Sequence, residues 1–211
     1  ELWGGLSLTV LLSFGSILCA FPIAIVLALG RQSALPIVKS FCILFIELVR
    51  GVPLITVLYM ASVMLPMFLP QTWDLNKLLR AFLGISFFQA AYLAEVIRGG
   101  LNAIPSGQYE ASKALGLSYW PMMTRVVLPQ ALKVMIPGIV NTFIALFKDT
   151  TLVMIIGLFD FLGIVQAATT DPKWLGSAFE GYVFCAAVYW IFCYSMSKTS
   201  QRLEIKLGKS S

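Results

Sequence analysis

The chain has 211 residues, of which 59% are hydrophobic and only 12% charged, whereas an ordinary soluble domain is about 45–50% apolar and about 25% charged. One core of this size cannot hide that excess, so lipid is the expected solvent. The net charge of +5 does not point to nucleic acid, because the basic residues fall between apolar runs and form no patch. The lack of histidine removes the commonest general base and metal ligand. Cys19, Cys42, Cys185 and Cys193 stand singly in apolar runs, which indicates neither a zinc site nor a disulfide frame.

A membrane-crossing helix needs about 20 mostly apolar residues. The chain opens at Glu1 with no initiator Met and no basic leader, so no signal peptide is visible and upstream sequence is expected to be missing. Trp3 to Gly30 holds no charge, which places a first span near Leu6–Leu29, kinked at Pro22. Leu35 to Leu69 is apolar but contains Lys39, Glu47, Arg50 and Pro53. It reads as one long second span, roughly Ser40–Pro66, or else as a short surface helix followed by a span over Val52–Leu69. Pro70 to Lys77 is a polar loop, and Leu78–Val96 is the third span. Arg98 to Lys133 is rich in Gly, Pro and charge, and is expected in water. The fourth span covers about Val134–Ile156, with Lys148 and Asp149 inside it. Asp160–Gly176 is polar and broken. Tyr182–Met196 is the core of a fifth span that starts as early as Ala178, and a basic tail follows.

Five spans put the two chain ends on opposite sides. Arg31, Lys39, Arg98, Lys113, Arg125, Lys133, Lys198, Arg202, Lys206 and Lys209 fall on one side, against Lys77, Arg80 and Lys173 on the other. The basic side marks the cytoplasm, so the 98–133 segment and the C-terminus face in and the N-terminus faces out. No internal repeat is visible, and residues 1–211 read as a single membrane domain.

Gln108 to Pro129 reads QYEASKALGLSYWPMMTRVVLP. Its composition fits a short helix, a glycine turn and a second helix that re-enters the membrane. Gly116 suits the positive φ of a C-cap, Ser118 can cap the next helix, and Pro121 fits its first turn. Such a helix offers a rigid knob to another protein, or is a plain solvated connector.

Here the sequence resembles the permeases of bacterial ABC importers. Their cytoplasmic signature is Glu-Ala-Ala, three residues, Gly, nine residues, Ile, one residue, Leu-Pro. This chain has Glu110-Ala111-Ser112, Gly116, Val126 and Leu128-Pro129 at the same spacing, with Ser112 for the second Ala and Val126 for Ile. The segments Trp3-Gly4-Gly5-Leu6, Glu47–Leu54 (ELVRGVPL), Ala91–Gly100 (AYLAEVIRGG) and Lys148–Leu152 (KDTTL) look like the polar amino-acid branch of that family, closest to general L-amino-acid uptake systems. Thr is more usual in that branch at Val52, and Ser at Thr151.

The resemblance implies an all-α membrane protein with the five-helix, MetI-like core of type I importers. It implies a second permease subunit, more readily a related chain than an identical copy, and two cytoplasmic ATPase subunits that bind ATP and Mg. A periplasmic binding protein would deliver the L-amino acid across the inner membrane. The chain would be no enzyme and would hold no cofactor or metal, and it has no P-loop GxxxxGK[ST]. The helix around Tyr109–Leu117 would sit in a groove of an ATPase, with Glu110 anchoring it, Gly116 permitting the turn, and Leu128-Pro129 fixing re-entry of the fourth span.

Ionisable residues in spans are costly and are functional candidates. Glu47 and Arg50, three apart, share a helix face; Lys148 and Asp149, adjacent, do not. One reading gives the substrate carboxylate to Arg50 or Lys148 and its ammonium to Glu47 or Asp149. The other makes them structural ion pairs. Glu95 and Arg98 are expected at the cytoplasmic end of the third span, and Asp160 on the outer side. Gln89 and Asn141 either line the path or hydrogen-bond between helices. Trp3, Trp73, Trp174 and Tyr182 fit an outer aromatic belt. The competing function is an ion-coupled secondary amino-acid transporter, against which stand the five spans and the lack of an inverted repeat. A purely structural membrane subunit would leave all intramembrane charges paired.

Overall fold

The computed structural model describes residues 4–68, 70 and 75–208; Trp3, Trp73 and Lys209 lie outside the described residues. Long runs of apolar residues that satisfy their own backbone polar groups leave helices as the natural elements. The order is α1 (Gly5–Arg31), α2 (Pro36–Arg50), α3 (Leu54–Tyr59), α4 (Leu65–Phe68), α5 (Lys77–Asn102), α6 (Ser106–Ala114), α7 (Tyr119–Met122), α8 (Leu128–Asp149), α9 (Phe161–Thr169) and α10 (Ala178–Gly208). Among the described residues the only β-type pairing is an isolated bridge between Gly5 and Asp160.

Four helical stretches are long and apolar enough to cross a membrane: Gly5–Arg31, Lys77–Asn102, Tyr119–Ile156 and Ala178–Lys206. A fifth is the bent pair Pro36–Arg50 and Leu54–Phe68, which turns by 102°. The all-α, five-span reading holds, but the second span is not one straight helix over Ser40–Pro66. Pro53 lacks an N–H and pushes Val52 out of the helical region, so α2 stops at Arg50 and the chain restarts at Leu54. The short-helix alternative is nearer the structure.

Two other boundaries differ from expectation. The helix expected after Ser118 and the span expected from Val134 are one helical run, Tyr119–Ile156, because a π turn over Met123–Val127 carries α7 into α8. Pro129 has no N–H to give to the preceding turn, and the Gln130 side chain covers the loosened ladder by donating to the Val126 carbonyl at 2.8 Å. Within Asp160–Gly176, α9 forms a nine-residue helix capped by Asp160.

The bundle is centred on α5. Its helix runs parallel to α1: Gly15 lies against Phe82 near one end, and Arg31 reaches Glu95 near the other. Small residues make the approach close, with Ala20, Ala24 and Ala28 on α1 buried among Ala90, Leu93, Ala94 and Ile97 on α5. α8 runs antiparallel on the other side, Gly100 meeting Ala131 and Gly138 meeting Val96. A second apolar cluster, including Leu12, Leu58, Ile85, Phe88 and Val153, fills the opposite end. There a second π turn, Met60–Met64, separates α3 from α4, and Arg80 donates to its Ser62 carbonyl at 2.5 Å.

Candidate functional site

Three constellations of polar residues stand on this frame. The first is the segment from α6 to α7. Alanine and serine build α6, and its C-terminus is a Schellman turn: Gly116 N–H donates to the Lys113 carbonyl at 2.9 Å and Leu117 N–H to the Ser112 carbonyl at 3.0 Å. Gly116 takes φ +74 there, with no atom within 4 Å of where a Cβ would stand. Leu117 and Tyr109 pack on the apolar core, which fixes the helix to the bundle. Burial pushes the Tyr109 phenol above its ordinary pKa, and its hydroxyl donates toward the Leu101 carbonyl, 3.5 Å away.

Ser112 is buried, and its hydroxyl donates to the Gln108 carbonyl at 2.7 Å; this is why serine fits a position that resembled alanine. Glu110, Ala111, Lys113 and Gly116 are exposed, as are the apolar Leu115 and Trp120. Ser118 occupies the N-cap position of α7, but its side chain makes no capping hydrogen bond. Gln130, not anticipated from sequence, also donates to Gln108 Oε1 at 3.1 Å and so ties α6 to α8. Leu128 and Pro129 open α8.

The second constellation is a charge cluster at the same end of the bundle. Glu47 and Arg50 do not pair with each other. Instead Arg31 Nη1 donates to Glu47 Oε1 at 3.0 Å and to Glu95 Oε2 at 3.4 Å. Glu95 also takes Arg98 Nε at 3.0 Å and Arg50 at 4.0 Å. Except for Glu95 and Arg98, three apart on α5, the paired charges come from different helices, and Glu47 and Arg50 each find a partner elsewhere. Arg50 sits 5.6 Å above the Tyr92 ring.

The third is a cavity of about 500 Å³ beside the α2–α3 break, halfway along α5. Val52 and Pro53 from the break, Gln89 and Tyr92 from α5, and Asn141 and Asp149 from α8 line it. Irregular backbone at membrane depth is tolerated where it borders such a space. Of the four intramembrane charges, Asp149 alone lines this cavity. Lys148 faces a separate cleft with Tyr182, Cys185 and Tyr189, as adjacent residues on a helix must. Gln89 is buried at its wall.

Asp160 was expected only as an outer-side residue. It is fully buried, accepting from Gly163 N–H at 2.9 Å and from the Tyr189 hydroxyl at 3.0 Å, while Phe161 N–H donates to Thr9 at 3.1 Å. That junction ties α1, α9 and α10 together at the end opposite α6. Trp174 and Tyr182 are exposed.

Comparison with known proteins sets this geometry in context. Residues 10–204 match the family described as binding-protein-dependent transport system inner membrane component. The inner membrane amino-acid ABC transporter permease protein YhdY of Escherichia coli (strain K12) is 59% identical over 202 residues, covering 96% of this chain and 55% of that protein. The glutamate/glutamine/aspartate/asparagine transport system permease protein BztC of Rhodobacter capsulatus is 50% identical over 208 residues, 98% of this chain and 48% of that protein. The chain thus spans about half the length of these two relatives. The probable glutamine ABC transporter permease protein GlnP of Bacillus subtilis (strain 168) is 31% identical over 208 residues, 97% of this chain and 93% of that protein. A solved amino acid ABC transporter with histidines is 28% identical and superposes with a TM-score of 0.85, covering 96% of this chain and 92% of that one. The MetNI methionine ABC transporter, at 19% identity and a TM-score of 0.71, covers 94% of each chain and shares the fold. The chain belongs to the family of binding-protein-dependent transport system inner membrane components.

Proposed function

We propose that this chain is the membrane-spanning subunit of an ATP-binding-cassette importer that carries L-amino acids across the bacterial inner membrane. The observation that carries this reading is α6. It is a short helix, closed by a Schellman turn, braced by Tyr109, Leu117 and Gln130, and bare along Glu110, Ala111 and Lys113. A helix built to be rigid yet left uncovered suits docking to another protein. In this reading two ATPase subunits, which hold ATP and Mg, grip α6 on the cytoplasmic side, and Glu110 anchors the grip. A second permease subunit, a related chain, completes the pair, and a periplasmic binding protein supplies the substrate. Residues 1–211 form one membrane domain whose first residues face out and whose C-terminus faces in.

The cavity beside the α2–α3 break is the substrate's place. Broken helices and midplane cavities mark binding sites in transporters, and about 500 Å³ lies within the range of about 300–1,000 Å³ for small-molecule pockets. Asp149 takes the ammonium, Gln89 and Asn141 offer amide contacts, and the carboxylate lies toward Arg50 over Tyr92. This arrangement uses Asp149 from the cavity wall and Arg50 over the lining Tyr92, and leaves Glu47 and Lys148 aside.

The test is uptake of labelled amino acids into proteoliposomes holding the complete system. Uptake should require ATP on the α6 side and should collapse in Glu110→Lys. Uptake that follows an ion gradient with no nucleotide would defeat the reading.

A further inference from the structure

Leu115, Tyr119 and Trp120 flank the Gly116 turn and are 80, 54 and 68% exposed. The two aromatic rings meet edge to face, with centroids 5.4 Å apart. Leu117, between them and Leu115 in sequence, packs on the core, so the turn is held from inside while these three side chains stay bare.

Most exposed apolar side chains of a spanning chain face lipid, but these lie too far out. Gly100 meets Ala131 and Val96 meets Gly138, so Glu95 and Arg98 stand level with residues 131–138 of the run that begins at Tyr119. That charge layer marks the edge of the hydrocarbon. Trp120 precedes Ala131 by 11 residues, which is about 16 Å of helix, against about 5–8 Å for the headgroup layer. Even a tilt of about 40° leaves about 12 Å. Without a protein partner these residues stand in water, and apolar groups of this size in water mark an interaction surface.

The partner that fits is the one proposed to grip α6. Leu115 is the C-cap residue of α6, and Tyr119 and Trp120 open α7, so a body seated on Glu110, Ala111 and Lys113 adjoins them across the Gly116 turn. The segment is also basic. Lys113 and Arg125 are exposed and make no ion pair among the described residues, and Glu110 is the one carboxylate of residues 106–125. Such a surface matches an apolar pocket with acidic residues at its rim.

We propose that Trp120, with Leu115 and Tyr119, is the main anchor of the ATPase contact, seated in an apolar pocket of that subunit whose rim carries carboxylates for Lys113 and Arg125. The proposal rests on the importer reading and adds to it: Glu110 fixes the register of the contact, and Trp120 supplies most of its affinity. Buried tryptophan is enriched among residues that carry binding energy, whereas a rim charge sets association rate and salt response.

Two measurements on the complex in nanodiscs test this. In hydroxyl-radical footprinting of the wild type, Trp120 should be oxidised readily in the permease pair alone and about fivefold more slowly once the ATPase subunits bind. In binding of ATPase to the immobilised permease pair, Trp120→Ala should raise Kd about 30-fold, chiefly through faster dissociation. Trp120→Phe should stay within about fivefold of wild type, and Leu18→Ala, at an equally bare position of α1, should change nothing. Lys113→Gln should slow association about threefold at low salt and leave dissociation unchanged. Trp120 shielded before any ATPase binds would give the patch to lipid or to the second permease and overturn the proposal. So would Trp120 still oxidised in the bound complex, or a Trp120→Ala that binds as wild type does; either result leaves the importer reading standing. A wild-type permease pair that binds no ATPase defeats both.

Discussion

At Gly116 the backbone needs φ +74, a region that disfavours side-chain-bearing residues by roughly 1–2 kcal/mol. Since a Cβ there would meet nothing within 4 Å, Gly116→Ala should cost only that strain. The expected result is a melting temperature lowered by a few degrees, about 2–4 °C per kcal/mol for a chain of this size, in a complex that still assembles. Asp149 and Lys148 make a sharper pair. Asp149→Asn should raise the KM for uptake by roughly tenfold or more, the loss of one charge-assisted contact being worth about 1.5–3 kcal/mol. Lys148→Gln, which faces another cleft, should leave KM within about twofold, and initial-rate uptake by the two variants separates them. Sequence alone could not tell these residues apart: adjacency proved only that they diverge, and which of them meets the cavity depends on where α5 lies. The Gly116 turn was legible because its signals are local, a glycine after an alanine-rich helix. Glu47 and Arg50 misled because their partners, Arg31 and Glu95, come from other helices.

Helix contacts decide what the elements tolerate. Gly138 on α8 leaves room for Val96 of α5, and a Cβ at that position would come within 2.8 Å of it. Gly138→Val should therefore force α5 and α8 apart, with destabilisation of about 1–3 kcal/mol from overpacking, seen as lower thermal stability and lower yield of assembled complex. Glu95 joins the ends of α1, α2 and α5 through three arginines. Glu95→Gln removes the shared negative charge, puts an NH2 donor where an acceptor stood and leaves like charges facing one another. Partial exposure tempers the effect, which should be about 2 kcal/mol, below the 3–5 kcal/mol of a fully buried pair, and a thermal melt of the purified complex checks it. Long apolar runs made α1 readable at both ends and α5 and α10 at their starts, but α5 runs on to Asn102 and α10 to Gly208, past the expected ends at Val96 and Met196, because a helix continues beyond its apolar stretch. The break at Gly51–Pro53 was only half readable, because proline stops a helix but does not state the angle of the turn. The helix start at Tyr119 was legible from Ser118 and Pro121, but its unbroken run into the fourth span was not, because Arg125 and Pro129 look like interruptions while the π turn and Gln130 carry the helix through them.

For the whole molecule the surface is as informative as the core. Across the most apolar stretch of α10 only 6% of residues are buried, so lipid or another subunit must cover it. At one end stand the braced helix α6 and the charge cluster; at the other, the buried Asp160 junction. The central cavity lies between them, beside the broken helix. These spans, the exposed helix α6 and the central cavity suit the proposed importer, in which a motor would have to bind one state of α6 better than the other. The most direct test of that arrangement is cysteine cross-linking in native membranes with Glu110→Cys, in a variant whose four native cysteines are replaced. A nucleotide-sensitive cross-link to the ATPase subunit is expected, with labelling of that cysteine from the cytoplasmic side only. A Glu110→Cys that reacts from the periplasmic side, or that finds no ATPase in an actively transporting complex, would contradict it.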